Sequence, residues 1–517
     1  MEATTLAGPT RRAGRREWIG LAVLALPTLL LALDMSVLYL ALPHLAADLQ
    51  PSSTQLLWTM DIYGFMIAGF LITMGTLGDR IGRRRLLLIG AAAFGAASVL
   101  AAYSSSAEML IAARTMLGIA GATLMPSTLA LISNMFADPR QRATAIAVWM
   151  SCFMGGTAIG PVVGGVLLEL FWWGSVFLLG VPVMVLLLAV APALLPEYRD
   201  EAAGRLDLVS VALSLGAILP IIFGLKELAK DGVAATPLGA IVIGAAVGVI
   251  FIRRQLRLRD PLLDLGLFRN RTFSAALGVM LAGAVAMGGM FLFIAQYLQL
   301  VAGLSPLRAG LWLVPPAVGM IAGTMLGPPL AQSIGRWRVI GGGMGITAIA
   351  FVMLAQVDAA SGPLPVVIAM VIATFGLGPG AALVTDIVVG SAPPERAGSA
   401  ASMSETSGEF GIAMGVALLG SLGTAVYRGR VTVPADVPAE AGIAIRDTLA
   451  GAVAVAAELP ETLAAQFLGP AREAFTAGFN LVAIVGAVVM VVFTVLSLLV
   501  ARSGGRVIAV ADPDNVS

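Results

Sequence analysis

Long apolar stretches, separated by short polar connections, run through almost the whole sequence. A helix that crosses the hydrocarbon of a membrane needs about 20 apolar residues, and fourteen stretches reach roughly that length. The predicted spans are 18–42, 55–78, 86–103, 107–135, 141–168, 172–195, 206–227, 236–256, 272–301, 307–332, 338–357, 363–390, 397–426 and 475–502. The pattern therefore predicts an all-α polytopic membrane protein.

Composition agrees with this pattern and excludes several classes of protein. Hydrophobic residues make up 58% of the 517 residues and charged residues 12%, whereas a soluble protein has about 25% charged residues. A single cysteine, Cys152, and a single histidine, His44, cannot form a disulfide framework, an iron–sulfur site or an ordinary zinc site. A GxxxxGK[ST] phosphate loop and a catalytic histidine or cysteine constellation are both absent from the sequence. These absences argue against an ATP-driven exporter and an enzyme, and we expect neither a metal nor a cofactor.

Basic residues are distributed unevenly between the two sides of the predicted membrane. With the amino terminus inside, 23 lysines and arginines lie on the cytoplasmic side, 7 lie outside and Arg114 lies within a span. Because basic residues favour cytoplasmic loops, both tails, 1–17 and 503–517, are expected in the cytoplasm of a cell-membrane protein. The arginines between 253 and 271 anchor this topology or contact anionic lipids. The net charge of +1 gives no indication of a nucleic acid partner.

Two loops of the first half have counterparts in the second half. Residues 138–151 resemble 392–406, and residues 75–87 resemble 327–340, where Gln332 replaces an acidic residue. These pairs align spans 2–5 with spans 10–13, and repeated bundles around a midplane cavity are a common plan of transporters. The sequence therefore predicts two six-helix bundles and two inserted helices, at 18–195, 261–502 and 196–260.

The longest connection, residues 427–474, is expected outside the cell. Its alanines, leucines and spaced acidic residues indicate short amphipathic helices. The segment either forms a hairpin or lid over the exit of the transport path or serves only to pack against neighbouring helices. The sequence leaves both interpretations open.

Acidic residues interrupt several of the apolar stretches, where each carboxylate costs at least ~2.5 kcal/mol. They are Asp34, Asp61, Asp386, Glu405 and Glu409. Glu405 and Glu409 are four residues apart and share a helix face, so we expect this pair to bind protons. Asp386 lies near the cytoplasmic end of its span, and a structural role is as well supported there as a functional one. Buried acids at these depths indicate a path for ions or substrate.

Two glycine-containing segments have mechanical consequences. Between spans 2 and 3, the glycines of residues 75–85 permit a tight turn, and Asp79 can pair with neighbouring arginines. In span 5, small residues at four-residue spacing allow close helix approach, and a proline allows bending. The span 5 residues are Gly156, Gly160, Pro161, Gly164 and Gly165.

These segments resemble the motifs of the major facilitator superfamily, and the whole chain resembles its fourteen-span drug:proton antiporters. Three segments match that family in position: Leu33-Asp34-Met35-Ser36-Val37 within span 1, Trp58-Thr59-Met60-Asp61 within span 2, and the segment of span 4 that starts with Arg114. Tyr39 stands where many relatives have asparagine, Leu117 replaces a frequent glutamine, and span 10 lacks the acidic residue of some members. The resemblance implies a conformational lock formed by Gly75, Asp79, Arg80, Gly82 and Arg83. It further implies export of quaternary ammonium compounds, cationic dyes or fluoroquinolones.

The leading hypothesis from the sequence is exchange of external protons for internal hydrophobic cations by alternating access. Asp34 carries the proton and Arg114 adjusts its release, while Asp61, Glu405 and Glu409 attract the cation. Aromatic surface shields the cation, with Phe65, Phe293 and Tyr297 as candidates. The protein is expected to act as a monomer driven by the proton motive force. The alternative is a narrow exporter of one endogenous metabolite or self-made antibiotic.

Overall fold

A computed structural model describes residues 13–199, 207–258, 261–391 and 397–508. Regular structure in these ranges is helical, and no β-strand occurs among the described residues. The helices are α1 Arg15–Leu49, α2 Ser53–Ile81, α3 Arg83–Ala102, α4 Ala107–Met135, α5 Pro139–Leu170, α6 Ser175–Leu178, α7 Gly180–Leu194, α8 Leu208–Asp231, α9 Ala235–Gln255, α10 Arg271–Gln296, α11 Pro306–Trp312, α12 Val314–Ile334, α13 Arg336–Leu354, α14 Pro363–Gly390, α15 Ala397–Arg430, α16 Ala439–Asp447, α17 Leu449–Glu458 and α18 Glu461–Ile508. A 3-10 turn precedes α10 at Leu265–Arg269, and a π-helical turn extends it at Tyr297–Val301.

Fourteen helical segments of the described chain are long and apolar enough to cross a membrane, which confirms the predicted number. The pairs α6–α7 and α11–α12 each form one segment. A chain that crosses fourteen times returns to its starting side, so the start of α1 and the end of α18 lie on one face, here called the terminus face. The opposite face carries α16 and α17 and is called the loop face. Parts of the predicted tails, inserted segment and repeated loop lie outside the described residues, at 1–12, 200–206, 259–260, 392–396 and 509–517.

The two halves of the chain have the same packing pattern. In the first half α1 packs against α5, α2 against α4, and α3 against both α4 and α7. In the second half α10 packs against α15, α12 against α14, and α13 against both α14 and α18. These are equivalent pairs when the first six spans are superposed in order on the last six. The two halves meet chiefly where α2 packs against α15.

The helices α8 and α9, which lie between the two halves in the chain, pack closely on each other. One of them, α8, also packs against α2 and α15. The inserted pair therefore lies along the junction of the two halves. Side chains of α8 can reach the same space as side chains of both halves.

A glycine with a positive φ angle connects the second and third spans of each half. Gly82 separates α2 from α3 with φ +111°, and Gly335 separates α12 from α13 with φ +91°. Residues with a Cβ rarely adopt this backbone conformation. The same glycine-dependent turn thus occurs in both copies of the repeated loop, at 75–87 and at 327–340.

The long connection before the last span contains two short helices, α16 and α17, as its composition indicates. These helices pack against each other, and α17 also contacts α1 and α18. The Tyr427 hydroxyl donates to the Ile445 carbonyl at 2.7 Å. The connection is shorter than the predicted 427–474, because α15 continues to Arg430 and α18 begins at Glu461. Phe467 and Ala471 at the start of α18 are fully buried, so packing extends this helix beyond its strongly apolar part.

Candidate functional site

A small cavity at the junction of the two halves is lined by several charged and phenolic side chains. Its volume is about 30 Å³, and a water molecule needs about 10–15 Å³ by this measure. Its polar lining comes from α1, α2, α4 and α15, through Tyr39, Asp61, Tyr63, Arg114 and Glu409. The cavity has room for water but not for a drug-sized molecule.

Arg114 of α4 forms a buried ion pair with Asp34 of α1. The Nη1–Oδ2 distance is 2.9 Å, and the side chains are only 2% and 9% exposed. The Nε atom of Arg114 donates to the Thr59 carbonyl at 3.3 Å, and its guanidinium carbon lies 4.4 Å from the centre of the Tyr63 ring. Arginine stays charged at accessible pH. The predicted proton carrier and the predicted arginine are therefore in direct contact beside the small cavity.

Asp61 of α2 pairs with Lys226 of α8, a residue that the sequence analysis missed. The Nζ–Oδ2 distance is 2.7 Å, and both side chains are almost completely buried. The same Nζ atom lies 3.8 Å from the centre of the Trp58 ring. The predicted span, 206–227, ends one residue after Lys226, whereas α8 continues to Asp231 and carries the lysine inside the helix. The available signal was a lysine within the predicted span, followed directly by Glu227.

Glu405 and Glu409 lie one helical turn apart on α15. Glu409 lines the small cavity, and its Oε2 atom is buried and accepts no hydrogen bond from the described part of the chain. Glu405 is half-buried. The structure thus brings Glu409 to Asp61 and Arg114, while Glu405 lies one turn nearer the terminus face.

A second, larger cavity of about 250 Å³ is bounded by the inserted helices and both halves. It is lined almost entirely by apolar side chains, including Phe65, Ile218, Phe251, Leu281 and Phe410. The Phe65 and Phe410 rings meet edge to face, with centroids 5.9 Å apart. Ligand pockets are typically apolar and about 300–1,000 Å³ in volume. This cavity is the larger of the two described here, and Phe65 lines it.

Phe293 and Tyr297 line neither of these two cavities. The Phe293 ring lies 5.5 Å from Phe475, and the Tyr297 ring lies 5.8 Å from Phe479, measured between centroids. The Tyr297 hydroxyl donates to the Asp358 carbonyl at 2.8 Å. These contacts pack α10 and its π-helical extension against α18. A substrate contact by either residue stays a prediction.

The loop between α2 and α3 ties three spans together near the terminus face. Arg83 donates from Nε to Asp79 Oδ1 at 2.7 Å. A Cβ on Gly82 would lie 2.6 Å from Glu197 Oε1, beyond α7. Glu197 also accepts from the Arg84 backbone amide at 3.0 Å. Of the other predicted lock residues, Arg80 is exposed, and a Cβ on Gly75 would only touch Pro126 of α4.

The glycines of α5 face two different helices. A Cβ on Gly156, Gly160 or Gly164 would collide with Leu29, Ser36 or Val37 of α1, respectively. On the other side, a Cβ on Gly165 would lie 2.7 Å from Leu307 Cα, and a Cβ on Gly310 would collide with the Pro161 carbonyl. Leu307 and Gly310 belong to α11 of the second half. The α5 motif therefore joins α1 to the second half near the loop face.

Asp386 lies away from both cavities. Its carboxylate is 62% exposed and pairs with Arg336 at 3.0 Å. Arg336 begins α13, directly after the recurring turn at Gly335. This acid therefore ties α14 to that turn. Such a contact agrees with the structural one of the two roles that the sequence leaves open for Asp386.

Comparison with known proteins gives a consistent result along the chain. Residues 24–416 match the model of the Major Facilitator Superfamily. The multidrug efflux pump LfrA of Mycolicibacterium smegmatis is 44% identical over 93% of this chain and 95% of its own length. The methyl viologen resistance protein SmvA of Salmonella typhimurium is 33% identical over 89% of this chain and 93% of its own. A crystal structure of an inward-facing bacterial homologue of the human lysosomal transporter Spinster is similar in fold, with a TM-score of 0.63, 17% identity and coverage of 95% and 98%.

Proposed function

This chain belongs to the Major Facilitator Superfamily, and from that premise we propose that it is a multidrug efflux antiporter that exchanges protons for lipophilic cations. Family membership makes it a membrane transporter and not an enzyme, as the sequence predicted. The similarity to an efflux pump and to a methyl viologen resistance protein supports the direction and class of cargo. Methyl viologen is itself an organic cation.

One observation carries the proposal: buried carboxylates from both halves meet at one water-sized cavity beside a larger apolar cavity. Asp61 and Glu409 line the small cavity, and Asp34 reaches its edge through Arg114. A buried carboxylate is stable only when it binds a proton or a cation. The same acids can therefore hold either a proton or a positively charged cargo, and this competition is the physical basis of exchange.

The proposed transport cycle begins with the terminus face toward the cytoplasm. The lipophilic part of a cation enters the apolar cavity, and its charge is attracted toward Asp61, Glu405 and Glu409. Rearrangement of the two halves then opens the loop face, where α5 and α11 now pack closely at Gly165 and Gly310. Protonation of the acids from outside removes the attraction, and the cation leaves. The proton returns inward with the next rearrangement, and no cofactor is needed.

In this cycle Asp34 is the obligatory proton carrier. The Arg114 guanidinium lies 2.9 Å from the Asp34 carboxylate, where it can pair with that carboxylate once the proton has left. Protonation weakens the Asp34–Arg114 attraction and frees α1 from α4. Since α1 packs against the glycines of α5, this release can be transmitted to the contact that closes the loop face.

The functional unit is proposed to be a monomer in the cell membrane, with both termini in the cytoplasm. Support comes from the site itself, because one chain supplies both cavities and their charged side chains. Arg253 and Arg254 lie in the last turn of α9, and basic residues at a helix end support a cytoplasmic position of that end.

Substrate-induced proton release tests this function on the purified carrier. Tetraphenylphosphonium, ethidium and a quaternary ammonium compound are added in turn to weakly buffered protein with a pH dye. Each is expected to release protons, and Asp34→Asn is expected to release fewer, whereas the exposed Asp386→Asn should behave as the unmodified chain. Binding without proton release would contradict exchange. Release by one compound only, without competition among the cations, would favour the narrow exporter.

A further inference from the structure

The ion pair of Asp61 and Lys226 has a geometry that cation recognition sites use. The lysine ammonium lies 2.7 Å from a carboxylate oxygen and 3.8 Å from the centre of the Trp58 ring. A carboxylate together with an aromatic face is a standard environment for organic ammonium ions. Trp58 and Asp61 are three residues apart on α2, so they form one face of that helix.

We propose that Asp61 and Trp58 form a binding site for monovalent organic cations, and that Lys226 occupies this site as a tethered cation which cargo must displace. The proposal rests on the proposed function and assigns the inserted helix α8 a part in it. Lys226 is then a specificity-determining residue, because only a cation that competes with its ammonium group can bind to Asp61 and Trp58.

The bonding of the pair favours displacement. The Lys226 ammonium lies 2.7 Å from Asp61 Oδ2, and no other side chain of the described residues hydrogen-bonds to either Asp61 oxygen or to Lys226 Nζ. A quaternary ammonium or phosphonium ion has no N–H groups. Such an ion can replace the ammonium at the carboxylate and the ring, and the one side-chain contact that is lost is the contact between the ammonium and the carboxylate.

The location of the pair favours access by cargo. Asp61 lines the small cavity, and the next helical turn of α2 contributes Phe65 to the 250 Å³ apolar cavity. Ile218 of α8 lines the same apolar cavity, two turns before Lys226. A molecule with an apolar body and one positive charge that occupies the larger cavity is therefore about one helical turn of α2 and two turns of α8 away from the Asp61–Lys226 pair.

The residue type also fits this role. Lys226 and Lys230 are the only lysines in the chain, and the other 29 basic residues are arginine. An arginine would hold a carboxylate with two parallel hydrogen bonds, whereas lysine presents a compact charge on a flexible stem. The flexible stem allows the ammonium to withdraw while α8 stays in place.

Equilibrium binding of tetraphenylphosphonium to the full chain in lipid nanodiscs tests the proposal. A tethered competitor acts at an effective concentration in the millimolar range, so Lys226→Met is expected to tighten binding by about tenfold or more. The gain should vanish in Asp61→Asn/Lys226→Met. Lys230→Met makes the same substitution four residues further along α8 and is expected to leave affinity unchanged. Equal or weaker binding by monodisperse Lys226→Met would overturn the proposal.

A second measurement on the unmodified chain does not depend on folding of a variant. Amine acetylation is followed by mass spectrometry with and without tetraphenylphosphonium, and the two lysines make the assignment unambiguous. Displacement predicts faster acetylation of Lys226 in the presence of the cation, with Lys230 as the internal reference. Unchanged or slower acetylation of Lys226 would contradict displacement. If the unmodified chain neither binds nor moves the cation, the proposed function fails; if it does both and Lys226 does not respond, only this inference fails.

Discussion

Arg114 on α4 holds the Asp34 carboxylate of α1 at 2.9 Å in an environment where both side chains are buried. The two residues are 80 positions apart in the chain. Each needs the other, because removal of one partner leaves an uncompensated charge inside the membrane span. The pair therefore connects the stability of the first half with its proposed proton chemistry.

Separate and combined substitutions of this pair distinguish the two roles. Arg114→Gln is expected to destabilise the protein by about 3–5 kcal/mol, because the Asp34 charge is left buried and unpaired. Asp34→Asn/Arg114→Gln should recover much of that stability but not proton-driven transport. Thermal unfolding in detergent and dye uptake into inverted vesicles measure the two effects. A double variant with normal transport would show that the pair is structural only.

The contact between α5 and α11 is predicted to close the loop face. Gly165→Ala would place a Cβ 2.7 Å from Leu307 Cα, and a backbone atom cannot move aside as a side chain end can. We expect the loop face to stay partly open and dye transport to fall at least tenfold, about 1.4 kcal/mol.

Gly155→Ala is the matched control on the same helix, because a Cβ at Gly155 meets nothing within 4 Å. Initial rates of dye uptake are measured for both variants at equal protein amounts. Equal rates for Gly155→Ala and Gly165→Ala would contradict a closing role of this contact.

The 250 Å³ cavity is predicted to accommodate the apolar body of the cargo. Ile218→Trp fills part of this space, and overpacking costs about 1–3 kcal/mol, so large cations such as tetraphenylphosphonium should lose affinity by roughly tenfold. Small cations such as tetramethylammonium should be less affected. Ile243→Trp introduces the same change on α9 at a side chain that is 60% exposed, and is expected to have no such effect. Equal losses for large and small cations would argue against this location of the cargo.

The Tyr297 hydroxyl is predicted to contribute to stability through its hydrogen bond to the Asp358 carbonyl. Tyr297→Phe keeps the ring that packs on Phe479 but removes the hydrogen bond to the Asp358 carbonyl. The expected loss is about 1 kcal/mol of stability, with an unchanged order of preference among cations. Thermal unfolding and a competition series with several cations check this. A changed preference would support the substrate contact that the sequence predicts for Tyr297.

Much of the fold could be predicted from the sequence because membrane spans have a strong local signature. Hydropathy alone gives the number of spans, and the loop at Gly82 indicates its sharp turn through its glycines. The candidate site was predicted in part, since a carboxylate such as Asp34 or Glu409 stands out in an apolar run. The identity of a partner depends on which helices meet, and that information is not local.

Three features of the structure could not be predicted from local sequence patterns. The predicted span that contains Lys226 ends at residue 227, because a hydropathy window cannot tell whether a helix continues past its apolar part. Phe293 packs against Phe475 of α18, and one sequence does not reveal which helix face meets α18. The larger cavity has walls from α2, α8, α9, α10 and α15, and only the folded chain brings these helices together.

Dye transport in proteoliposomes with and without a proton gradient tests the central claim, competition of protons and cations for the same buried acids. With a pH difference and a membrane voltage imposed, the reconstituted chain is expected to accumulate the dye against its concentration gradient. After nigericin and valinomycin collapse both, accumulation should disappear, and only movement down the dye gradient should remain. Accumulation at the same rate and to the same extent after the collapse would contradict proton-coupled exchange.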